Sequence, residues 1–197
     1  RGIQFLNIDK KDFAVAQKHL LWWGSTAAIH KGLDIVLDIF KTRPDLTLHV
    51  CGFKDEIEKE FLSAYNDELM NKIPNIINHG FVDLKSEQFI ELMNKCSAVV
   101  SPSISEGGAV GIINIMANGG IIPIITTSSG LDVGHYGFMF EDINEATVNN
   151  MIDKFLTLSA DEVKNLSIQV KNESREKYSI DKYKTRLKEI LQEILSV

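Results

Sequence analysis

Along the chain, short unbroken apolar runs alternate with segments in which apolar residues recur every three or four positions. The runs fall at 20–23, 46–51, 75–78, 98–101, 121–126 and, more weakly, 138–140. They show little polar alternation, the mark of strands covered on both faces. Between them lie helical patterns. Leu33, Val36, Leu37 and Phe40 fall at i, i+3, i+4 and i+7, and Pro44 closes that segment. Further helices are predicted over 55–70 and 86–96, and another opens near Gly107-Gly108 and ends at Asn118-Gly119-Gly120. This order, strand then helix repeated, implies an α/β fold with a parallel, doubly wound sheet.

After Phe140 the pattern becomes all-helical. Val148, Met151, Ile152 and Phe155 form one stripe, Ser159 with Glu162 reads as a capping box, and Tyr183, Leu187, Ile190, Leu191 and Ile194 form the last stripe. The first 19 residues are less periodic and read as a lead-in segment. No internal repeat or Pro/Gly/Ser linker interrupts the chain.

In such sheets ligands bind beyond the carboxyl ends of the strands, where loops run into helices. That rule singles out the loops at 24–32, 80–86 and 102–110. The third reads Ser103-Ile-Ser-Glu106-Gly107-Gly108-Ala109-Val110. A glycine pair at a strand-to-helix turn lets backbone N–H groups approach a ligand, and the helix start offers a positive dipole end that suits a diphosphate. A tight turn chosen only for packing accounts for the same letters. Glu106 has two readings as well: a helix cap, or an acceptor for sugar hydroxyls. In the first loop, Lys31-Gly32 opens a helix at the same edge, and its ammonium could neutralise a departing diphosphate.

Composition narrows the field. With 197 residues, 44% hydrophobic and 24% charged, the chain can bury a core as one domain. No apolar run approaches the roughly 20 residues of a membrane helix. The net charge of −6 and the scattering of lysines among acids count against nucleic acid as a partner. Cys51 and Cys96 cannot build a disulfide framework and read as small core residues, which suits a reducing cytoplasm. The chain opens on Arg1, with no leader pattern after it, and is expected to be a piece of a longer protein. His19, His30, His49, His79 and His135 lack metal-ligand spacing, so no metal site is predicted, and dinucleotide, P-loop and nucleophile-elbow motifs are missing. Trp22-Trp23 sits inside an apolar strand, where core packing outweighs carbohydrate stacking for at least one ring.

Taken together, three stretches resemble the C-terminal domain of the group 1 glycosyltransferases of the GT-B fold, also called family 4. They are Leu20 to Gly24 with Lys31-Gly32-Leu33-Asp34; Asn78-His79-Gly80-Phe81-Val82; and 102–119 continuing to 121–126. The resemblance covers residues 20–195, and Tyr178-Ser179 before the last helix is similar to the family's tail. It implies a Rossmann-like, C-terminal GT-B half with extra C-terminal helices, in which 20–197 form the donor-binding domain and 1–19 lead in from an N-terminal domain. Such enzymes transfer a sugar from a nucleotide-diphosphate donor, usually with retention and without a bound metal or other cofactor. The N-terminal domain supplies the acceptor site, so the fragment alone is expected to be inactive.

By the same resemblance, Glu106 matches the first member of a Glu-x7-Glu motif that contacts the transferred sugar, and Lys31 matches the lysine on the diphosphate. Gly107, Gly108, Ala109 and Val110 match the segment facing sugar and phosphates, Gly24 and Ser25 the first donor loop, and Phe81 and Val82 the lining of the base. Four positions, in three places, depart from the family pattern. Asn114 stands where the second acidic residue would hold the ribose, Ser25 stands where an arginine is frequent, and Gly108-Ala109 replaces Phe-Gly. Asparagine still reaches a hydroxyl but without charge assistance. A catalytically inactive nucleotide-sugar-binding module and a GT-B-type nucleotide-sugar epimerase therefore stand as alternatives. A cytoplasmic location is expected, with peripheral contact to the inner face of the membrane open to the full-length protein.

Overall fold

The computed structural model describes residues 8–25, 27–53 and 58–195. The apolar runs become six strands: β1 (His19–Trp23), β2 (Thr47–Cys51), β3 (Ile76–Asn78), β4 (Ala98–Ser101), β5 (Ile122–Thr126) and β6 (Phe138–Phe140). All pair in parallel in the order β3-β2-β1-β4-β5-β6. β4 and β5 are buried at every residue, as continuous apolar runs under helices on both faces require.

The helices are α1 (Phe13–Ala16), α2 (Leu33–Lys41), α3 (Lys59–Ala64), α4 (Asn66–Leu69), α5 (Glu87–Lys95), α6 (Val110–Gly119), α7 (Glu145–Leu156), α8 (Ala160–Lys177) and α9 (Ile180–Leu195). They pack in two sets, α1, α5, α6 and α8 in one and α2 with α7 in the other. The stripe Leu33, Val36, Leu37 and Phe40 of α2 is wholly buried, and Ser159 and Glu162 close the capping box of α8. The lead-in segment is tied down as well. Phe13 is buried on α1, and Lys11 Nζ donates to Met93 O at 2.9 Å.

The structure departs from the sequence pattern in three places. The helix predicted over 55–70 is two short helices broken at Tyr65, whose hydroxyl donates to Asp38 on α2; its first residues, 55–57, lie outside the described ones. The helix predicted to open at Gly107-Gly108 begins at Val110, because Gly108 (φ 129°) and Ala109 (φ 42°) hold the chain in left-handed backbone. Finally, α9 has its apolar stripe but buries none of it: Ile180, Tyr183, Leu187, Ile190, Leu191 and Ile194 are all exposed.

Candidate donor site

Strand order reverses between β1 and β4, which are neighbours although β2 and β3 intervene in sequence. At such a switch point the two following loops diverge and leave a crevice at the carboxyl edge. The loop after β1 carries Lys31 to that crevice and the loop after β4 carries Glu106. Lys31 Nζ and Glu106 Oε1 form an ion pair there, with both side chains largely shielded (19% and 17% exposed).

The pair is held by the loops as well as by its own charge. Ile104 N donates to His30 O at 3.0 Å, and Ser103 Oγ lies 3.3 Å from both His30 O and Glu106 Oε1. His30 Nε2 stands 2.8 Å from Ser105 O; a carbonyl only accepts, so that nitrogen carries the proton. From behind, Thr126 Oγ1 donates to Ser103 O at 2.7 Å and Glu106 N to Ser128 O at 3.1 Å.

Around the pair lies a cavity of about 240 Å³, lined by Trp23, Gly24, Ser25, Lys31, Glu106, Ala109, Val110, Gly111 and Ile112. The two tryptophans divide their roles. Trp22 is core, and its Nε1 donates to Lys31 O at 3.1 Å, fixing the lysine's backbone. Trp23 is half-buried, edge-on to Phe89, and forms one wall. Glycines differ by position. A Cβ at Gly24 would stand 2.1 Å from the Trp22 ring, whereas one at Gly107 or Gly108 would meet nothing within 4 Å.

Of the residues singled out from sequence, Lys31, Glu106, Gly24, Ser25, Ala109 and Val110 wall one cavity, with Gly107 and Gly108 on the loop beside it. Phe81 is exposed and Val82 is buried in the core; both follow β3, on the same side of the switch point as β1. Asn114 lies one turn along α6, where its amide donates to Val110 O at 3.0 Å, and it faces a second groove shared with Tyr178 and Tyr183. Sequence reasoning weighed Trp23 for carbohydrate stacking without placing it at the donor loops, and passed over Ser103, Gly111 and Ile112 as site residues. Ser103 sits three residues before Glu106 inside the loop already suspected, and that spacing was the available signal.

The histidines form a different feature. His19, His49 and His79 line up across β1, β2 and the end of β3, with ring nitrogens 3.0 and 2.9 Å apart. Burial, then the neighbouring imidazoles and Lys95, push His49 down to about 3, and burial lowers His19 and His79 too. Each nitrogen of His49 is occupied by a neighbouring ring, and among the described residues no group of three His, Cys, Asp or Glu is arranged to hold a metal ion.

Comparison with known proteins identifies the family and the fold. A family described as glycosyl transferases group 1 matches residues 9–177. The chain belongs to the group 1 glycosyl transferases. No curated protein matches its sequence. Among solved structures, Anabaena Alr3699/HepE in complex with UDP-glucose superposes with a TM-score of 0.69 at 16% identity, over 91% of this chain and 50% of that one. TarM, known from S. aureus, gives 0.68 at 16% identity over 95% of this chain and 37% of its own length. The C-terminal domain of the group 1 family protein LpcC from Francisella tularensis gives 0.67 at 14% identity, over 90% of this chain and 97% of that domain. The chain thus spans half or less of the two larger proteins and nearly all of an isolated C-terminal glycosyl transferase domain. Neighbours at such identities establish the fold, a Rossmann-like GT-B half. The family match begins eleven residues before Leu20, taking in α1, and it stops at Lys177, before α9.

Proposed function

We propose that this domain binds the nucleotide-diphosphate sugar of a glycosyl transfer reaction, with Lys31 on the diphosphate and Glu106 on the transferred sugar. The observation that carries the reading is their meeting at the switch point, beside the backbone that opens α6. An ammonium placed where a diphosphate departs stabilises charge that grows in the transition state. A carboxylate next to it accepts hydrogen bonds from sugar hydroxyls. Gly107 and Gly108 leave the approach to the α6 N-terminus open, so its unpaired N–H groups supplement Lys31. The α6 start carries much of that load, because Ser25 brings no charge to the first loop.

The acceptor site and the rest of the catalytic groups belong, on this reading, to an N-terminal domain, and transfer proceeds with retention. In the full-length enzyme Lys31→Ala is expected to lower donor turnover by about 10²–10³. Near-normal turnover by that variant refutes the assigned role. Asn114 motivates a second reading, a domain that binds nucleotide sugar without transferring it, since its amide bonds its own helix. Donor binding with no turnover by the full-length protein selects that reading, and donor turnover without acceptor selects an epimerase.

A further inference from the structure

Lys31 and Glu106 do more than share a cavity: each occupies the group the other would offer to a ligand. We infer that Glu106 is an internal competitor for Lys31, so that the site disfavours a bare nucleoside diphosphate and favours a nucleotide sugar. This rests on the donor-site reading above and goes beyond it by assigning a selectivity to the pair.

The physical case has three steps. First, the pair is built in. The two loops are stapled at Ile104 N to His30 O, at Ser103 Oγ and at His30 Nε2, and Trp22 Nε1 fixes the Lys31 carbonyl. The ammonium and carboxylate are therefore presented to each other by the backbone. Second, a bare diphosphate gains little there. It must draw Lys31 away from Glu106, and it leaves that carboxylate shielded and close to phosphate charge of its own sign, an arrangement that costs more out of bulk water. Ser103 Oγ, 3.3 Å from Glu106 Oε1, is too weak a partner to replace a full charge. Third, a sugar on the same diphosphate repairs this, because its hydroxyls donate to the carboxylate at the moment the lysine leaves it. Binding of the two halves of the donor is coupled through one ion pair.

The consequence is directional. Once the sugar has been transferred, the remaining diphosphate again faces an unsatisfied carboxylate, and Glu106 reclaims Lys31. The pair helps to expel product.

Trp23 lines the cavity, so tryptophan fluorescence reports on it directly. The chain is titrated at low salt with UDP, GDP and ADP and with the glucose conjugate of each, as wild type and as the near-isosteric Glu106→Gln. For the nucleotide that binds, Glu106→Gln is expected to hold the bare diphosphate about tenfold tighter, the size of one modest electrostatic coupling. Its preference for the glucose conjugate over the diphosphate should collapse. Thermal melting checks that the variant folds, and Glu106→Ala carries the same expectation for the diphosphate arm. Binding of a diphosphate by the variant alone also supports the inference. Equal or weaker diphosphate binding by both variants overturns it, while wild-type binding of the nucleotide leaves the donor-site reading standing. Silence of wild type and variants across all six ligands removes the donor-site reading, and the inference with it.

Discussion

The two halves of the sheet meet at one crevice but are built on different terms. In the half formed by β1, β2 and β3 the protein packs against itself up to the rim. A Cβ at Gly24 would meet the Trp22 ring at 2.1 Å, and one at Gly52 would meet the Gly24 carbonyl oxygen at 1.9 Å. Three hydrogen-bonded imidazoles run across those strands. In the other half β4 and β5 are buried throughout and apolar except for Ser101 and Thr126 at their ends, with no ionisable side chain, and the loop after β4 leaves free space above Gly107 and Gly108. Glycine therefore means two things in one molecule. At Gly24 and Gly52, on the Lys31 side, it is demanded by the protein's own atoms, and at Gly107 and Gly108, on the Glu106 side, by backbone conformation at Gly108 and by room for something to approach.

The contrast breaks most visibly at Gly24. Replacing it with alanine drives a methyl into an indole that is itself core. A cost of about 3 kcal/mol is expected, the upper end for overpacked sites. For a chain of this size that lowers Tm by about 6–12 °C. An unchanged melting temperature would mean that the Trp22 ring yields freely, and that the first half is no more tightly packed than the second.

Acid should find the same half. An unfolded imidazole titrates near 6.5, while folded His49 is held down to about 3, and His19 and His79 are lowered as well. Below about 6.5 the unfolded chain takes up protons that the folded imidazoles refuse. The contribution is thus fully present above that pH and is lost as pH falls toward 3. Each imidazole kept neutral costs about 1.4 kcal/mol per pH unit within its window, so His49 alone removes about 2 kcal/mol between pH 7 and pH 5. Urea unfolding at pH 7, 6 and 5 measures this slope, and His49→Leu should flatten it. A profile already flat in the wild type would show that the imidazole row is solvated and carries no such load.

How much of this was legible in the letters differs between the two halves. All six strands could be read from unbroken apolar runs, to within a residue or so at each end, because burial on both faces leaves no polar alternation to blur them. The repeated strand–helix order then pointed to the loops at the carboxyl edge and so to Lys31 and Glu106, while the strand order that makes β1 and β4 a switch point came only from the structure. Periodicity could not give contacts between residues distant in sequence. Nothing in His19, His49 and His79, thirty residues apart each time, announces a row; only the register of three parallel strands creates it. The α6 start was misjudged by two to three residues because Gly107-Gly108 reads as a helix opening, while the backbone at Gly108 and Ala109 is left-handed. For α9 the apolar stripe was plain, yet a stripe says only that a face is apolar, and whether it is covered depends on what stands opposite.

The smallest expected effect is the most informative about the open side. Gly107 has an ordinary backbone conformation, unlike Gly108, so alanine there meets neither a clash nor a forbidden φ. Stability should stay within about 0.5 kcal/mol of wild type, as for a surface substitution free of special features. Binding should not be spared in the same way, because a methyl at Gly107 projects into the space through which a diphosphate would approach the first turn of α6. Melting and nucleotide titration of one Gly107→Ala sample separate the two quantities. A loss of stability matching that of Gly24→Ala would erase the difference between the halves. Full stability with unaltered nucleotide binding would keep the difference but move the donor away from this loop, leaving Lys31 to hold it from the other wall.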